Sequence, residues 1–111
     1  NIEEIKKKML QILMMKKSPY SLLKTEIKRD ELILMTNILQ FILKDLMNIK
    51  MGREKEVVFK EMTPFYIRYK DKISHGEIER KYYETLEIED AIIRRANISL
   101  ILLSFSKFSF V

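Results

Sequence analysis

The stretch "EVVFKEMTPFYIRYK", residues 56–70, decides how this chain folds. Val57 and Phe59 alternate with Val58 and Lys60. Beyond "MTP", Phe65, Ile67 and Tyr69 alternate with Tyr66, Arg68 and Lys70. Alternation with a period of two, in β-branched and aromatic residues, is the pattern of strands. It predicts a hairpin with strands near 55–61 and 65–71, turning around Met62–Pro64. Pro64 is tolerable there, at a turn or a strand start.

Upstream the period changes to that of helices. In "NIEEIKKKMLQILMMKK", Ile2, Ile5, Met9, Ile12 and Leu13 keep helical spacing with Lys6, Lys7 and Lys8 largely opposite, giving a helix ending near Lys17. "SPYSLLKTEIK" follows. Ser18 suits an N-cap, Pro19 the first helical position, and Leu22, Leu23 and Ile27 a short apolar stripe. Asp30 can cap a third helix, "ELILMTNILQFILKDLMNIKM" (31–51), and Gly52 stands just past its end, where positive φ is often needed.

Downstream, Ile78, Tyr82, Leu86, Ile93 and Ala96 lie on one broad face of a long helix reaching about Leu103. Ser74 and Glu77 open it as a capping box. The tail "SFSKFSFV" reads either as a short strand or as a frayed end. The fold class that results is mostly α with a β-hairpin (α+β).

With 111 residues the chain is the size of one domain, and its 47% apolar content suits a folded core. It has no cysteine, which removes disulfides, cysteine-based zinc sites and thiol nucleophiles and agrees with an intracellular, cytoplasmic protein. The single His75 cannot hold a metal alone. No unbroken apolar run reaches the roughly 18 residues of a membrane span, so no membrane partner is expected. The N-terminus carries acids and is not a signal peptide. The chain opens on Asn1 rather than Met, as a trimmed chain or a fragment would.

The net charge of +5 is unevenly placed. Residues 1–29 carry eight bases against three acids, and 50–72 carry seven against four. Residues 30–49 and 73–111 are slightly acidic. Such a footprint fits an anionic partner, and equally a lysine-rich soluble surface.

The order helix, short helix, turn, helix, hairpin, helix resembles winged helix-turn-helix regulators of the MarR and PadR type, over residues 2–72. The resemblance implies a winged-helix domain at 1–72 and a C-terminal helix and tail at 73–111 that forms a homodimer. It implies a positioning helix in "SPYSLLKTEI", a recognition helix at 31–51 and a wing at "VVFKEMTPFYIRYK". The function it implies is sequence-specific binding of duplex DNA by a transcriptional regulator. Asn37, Gln40, Lys44 and Asn48 share one helix face, and amides pair with adenine edges as lysine does with guanine or phosphate. Arg53, Lys55, Arg68 and Lys70 would meet phosphates.

Three features pull the other way. Every amphipathic helix has a polar face. Asp30 and Glu31 would stand where a recognition helix meets the polyanion. The turn before that helix has no glycine. The alternative is a non-enzymatic helical interaction module, or a subunit of a larger complex, docking through its apolar C-terminal helix. No cofactor is expected. Two glycines make no phosphate-cradling loop of the usual sequence, and one histidine in "ISHGEIE" makes no triad, so no enzyme is expected.

Overall fold

The computed structural model describes residues 2–13 and 29–104, apart from the side chains at 8, 10–13, 99 and 102–103. The expected "SPYSLLKTEIK" helix and the C-terminal tail lie outside the described residues. Among the described residues there are five α-helices: α1 (Ile2–Leu13), α2 (Arg29–Lys50), α3 (Thr63–Tyr69), α4 (His75–Ile93) and α5 (Ile98–Ser104). Two short 3₁₀ turns, Glu54–Glu56 and Lys60–Met62, precede α3.

α2 is the central helix. Ten of its residues are buried, from Leu32 to Ile49, and they cover about half of its circumference. It packs most extensively on α4, and α1 lies against it through the buried Met9. The α2–α4 pair is antiparallel. Leu43 and Met47 near the end of α2 meet Ile78 and Tyr82 near the start of α4. The Arg29 guanidinium at the other end donates to the carbonyls of Ile92 (3.4 Å) and Ala96 (2.8 Å). By length and a mean hydropathy of 1.4, α2 is also the one described helix able to cross a membrane. Unbroken apolar runs do not reveal this, because polar residues punctuate the helix, and 56% of that span is buried in the fold.

The expected hairpin is not there: among the described residues there is no strand, and 55–71 forms the two 3₁₀ turns and α3. The same residues carry a second, helical period. Met62, Tyr66, Tyr69 and Ile73 are buried at spacings of four, three and four. Pro64 falls in the first turn of α3, where a missing N–H costs nothing. What holds the segment is Asp45, fully buried on α2. Its carboxylate accepts from the backbone N–H of Val58 (2.7 Å) and Phe59 (2.9 Å) and from the Tyr66 hydroxyl (2.8 Å). Two backbone donors that a strand ladder would have used are satisfied by one side chain. Without a hairpin there is no wing, and the expected winged-helix architecture is not what the described residues form.

Other expectations fare variously. Gly52 ends α2 at φ 74°, the positive value anticipated, and its N–H bonded to Ile49 with that of Arg53 to Asn48 makes a Schellman cap. The Ser74 hydroxyl accepts from the Glu77 N–H at 3.1 Å, as the capping box requires. The long C-terminal helix instead breaks at 94–97. Arg95 takes the left-handed conformation (φ 60°) and builds the same Schellman hydrogen bonds, Arg95 to Ile92 and Ala96 to Ala91. No glycine marks this stop in the sequence. Lys6, expected on the wet side of α1, is buried. Its ammonium contacts Glu3 and Glu61 and lies 4.5 Å from the centroid of Phe59, fastening α1 to the Lys60–Met62 turn.

Candidate functional site

α4 turns an unexpected side to the core. Its buried residues are Ile78, Lys81, Thr85, Ile88 and Ile92, at spacings of three and four. This stripe includes a lysine and a threonine. Thr85 satisfies its hydroxyl on the Tyr82 carbonyl. Burial lowers the pKa of the Lys81 ammonium, with Glu77 and Glu84 opposing that shift. Of the stripe read from the sequence, Ile78 is in the core and Ala96 packs against it, while the later part turns outward. Tyr82 is half-buried, and Leu86 (39%) and Ile93 (66%) are exposed, as is the neighbouring Tyr83 (61%).

Two clefts flank α4. The first, about 190 Å³, lies between α2 and α4, with Leu43, Lys44 and Met47 on one wall and Ile78, Tyr82 and Tyr83 on the other. The Lys44 ammonium stands 5.4 Å from the Tyr82 ring and 6.0 Å from the Phe41 ring, within cation–π reach. Phe41 in turn packs edge-on against Phe59 at 5.9 Å, and Tyr82 against Tyr83 at 6.3 Å. Between Leu32 and Lys50, Phe41 and Lys44 are the exposed positions of α2.

The second cleft, about 230 Å³, lies between α4 and α5. Glu84 and Glu87, one turn apart, face apolar walls that include Ile88, Ala91, Leu100 and Ile101. One Glu84 carboxylate oxygen is buried without a hydrogen-bond partner. Leu100 is 62% exposed at the rim.

Against this geometry, the residues picked from the sequence fall into two groups. Asn37, Gln40 and Asn48 are half-buried, the Gln40 amide nitrogen wholly so, and Lys44 alone of the four is exposed. They do form the outer side of α2, but it is not a continuous exposed face. Arg53, Lys55 and Arg68 are exposed and Lys70 is half-buried. Lys50 donates to the Lys70 carbonyl, which brings the ends of α2 and α3 together. Asn37 sits about 20 Å along the helix from that basic end, by the rise per residue, whereas Asn48, whose carbonyl accepts from the Arg53 N–H, adjoins it. Phe41, Leu86 and Glu84 are not singled out as a site by the sequence, and Glu87 only as part of an acidic patch with Glu89 and Asp90 that reads as a solvated face. Their signal was present as unused apolar residues and as acids one turn apart, and it needed the rotation of α4 to become readable.

Comparison with models of protein families, with curated proteins and with solved structures finds no match to this chain.

Proposed function

We propose that this chain is a non-enzymatic helical interaction module that docks a partner protein on the outer side of α4. The observation that carries the reading is the display of Tyr83, Leu86 and Ile93 on a helix whose core contacts are made by other residues. Solvent-facing apolar residues grouped beside a preformed apolar cleft are characteristic of interaction surfaces. The cleft beside Lys44 accepts an apolar side chain of the partner, and Tyr82 and Tyr83 form its amphipathic wall.

A photo-crosslinking residue at position 83, in the cells that express the protein, tests this. A discrete protein adduct is expected there, absent when the crosslinker replaces Arg68 and lost when Leu86→Asp is added. An adduct pattern equal at both positions, or indifferent to Leu86→Asp, refutes the reading.

A second reading, duplex DNA, rests on Arg53, Lys55, Lys60, Arg68, Lys70 and Lys72. None of these makes an ion pair with a described residue, and all but Lys70 are exposed. Phosphate contacts from this cluster give an affinity that falls steeply with salt. Absence of binding at low salt, or binding unchanged by Arg53→Glu with Arg68→Glu, refutes it.

A further inference from the structure

We infer that the α4–α5 cleft receives a lysine or arginine side chain carried on an apolar, basic segment of a partner protein. This rests on α4 being a docking helix and names the chemistry of what docks. Three features of the cleft converge on such a group.

Glu84 and Glu87 stand one turn apart on the same wall, and Glu87 is exposed with no ion pair among the described residues. One oxygen of Glu84 is buried and receives no hydrogen bond, although the buried Lys81 lies near enough to feel its charge. The Glu84 and Glu87 side chains line the cleft, and a charged donor seated beside such carboxylates forms one of the stronger hydrogen bonds available. Apart from Ser104 the remaining walls are apolar, and the exposed Ile93 extends that character beyond the cleft. The occupant therefore needs an apolar body as well as a cationic tip, which lysine and arginine on an amphipathic helix supply.

The charge of α4 points the same way. His75–Ile93 holds six acids (Glu77, Glu79, Glu84, Glu87, Glu89, Asp90) against two bases (Arg80, Lys81), in a chain that is otherwise basic. A second copy docked by two-fold symmetry through this face would set the same acidic patch against itself. Complementarity favours a different, basic partner.

The test uses a designed amphipathic helix with leucines on one stripe and lysines beside it, and a twin in which glutamines replace the lysines. Fluorescence anisotropy against the full chain measures both. The lysine peptide is expected to bind about ten-fold or more tighter than its twin, the scale of one charge-assisted hydrogen bond. Glu87→Gln, at an exposed position that leaves the fold intact, should remove much of that preference, and Glu84→Gln the rest.

Equal binding of the two peptides, or a preference untouched by both variants, overturns the inference. So does spermine binding with no peptide binding, which marks a small-cation site. Self-association abolished by Glu87→Gln also overturns it, since the occupant is then a second copy. If neither peptide binds while the adduct at position 83 persists, this inference falls and the docking role of α4 stands.

Discussion

Asp45→Asn is the most direct probe of why residues 56–70 are not a hairpin. In the native fold one carboxylate oxygen accepts from Val58 N–H at 2.7 Å, and the other from Phe59 N–H at 2.9 Å and Tyr66 O–H at 2.8 Å. Asparagine offers one acceptor oxygen. If it faces Phe59 and Tyr66, the amide hydrogens confront the Val58 N–H, donor against donor. If it faces Val58, the Phe59 N–H is left in the same position. At least one charge-assisted bond is lost in either case, at about 1.5–3 kcal/mol, and the survivors weaken because the acceptor is now neutral. The expected loss is about 3 kcal/mol. Asp45→Ala removes all three bonds and should cost about 4–5 kcal/mol, at the extreme of single substitutions. Tyr66→Phe removes one bond and leaves the carboxylate with two donors, for about 1–2 kcal/mol. Urea unfolding followed by far-UV circular dichroism gives the ranking, with the m-value showing that the unfolded reference is shared. Asp45→Asn costing less than Tyr66→Phe, or under about 0.5 kcal/mol, would refute the account.

Three other outcomes follow from the helix ends and the buried tyrosine. Arg95→Gly should stabilise the chain by about 1 kcal/mol, because Arg95 holds a left-handed φ of 60° that glycine adopts freely; thermal melting reads the shift. Gly52→Ala, at φ 74° with open space around the missing Cβ, should cost about 1 kcal/mol, purely from the backbone. Burial, and then the Asp45 carboxylate, hold the Tyr66 hydroxyl far above its ordinary pKa of 10.0. Its contribution to stability is therefore complete below that value. It declines as pH rises above it, where the unfolded chain ionises first. Melts from about pH 8 to about pH 11 should show a smaller alkaline loss for Tyr66→Phe than for the native chain; equal slopes would remove Tyr66 from the explanation.

Part of the candidate site was legible in the residues. Lys44 was placed on the outer side of its helix, and the C-terminal region was recognised as holding more apolar residues than one core face can bury. What could not be read was which residues of α4 face inward. Two stripes of that helix keep a spacing of three and four. One runs through Ile78, Tyr82, Leu86 and, two turns on, Ile93, and the other through Ile78, Lys81, Thr85 and Ile88. The apolar stripe is the natural choice for burial, yet beyond Ile78 and the half-buried Tyr82 the fold buries the stripe with the lysine. Lys44 and its aromatic partners Phe41 and Tyr82 likewise come together only through the antiparallel packing of α2 on α4.

The sequence by itself determined what is local. It set the α2 helix through an unbroken 3.6-residue period, its stop through Gly52, and the start of α4 through Ser74 and Glu77, because each depends on residues within one or two turns. Tertiary structure decided 56–70 and the break near Arg95. The first carries both a two-residue and a helical period. Asp45, 13 and 14 residues before the N–H groups it accepts and 21 before Tyr66, selects the second. The second break puts a non-glycine residue in a strained conformation beside the Arg29 anchor, from the far end of α2, on Ile92 and Ala96. Hydrogen-bond satisfaction across such separations leaves no periodic trace in the chain, which is why the alternation of "EVVFKEMTPFYIRYK" pointed to strands while the folded protein made turns and a helix.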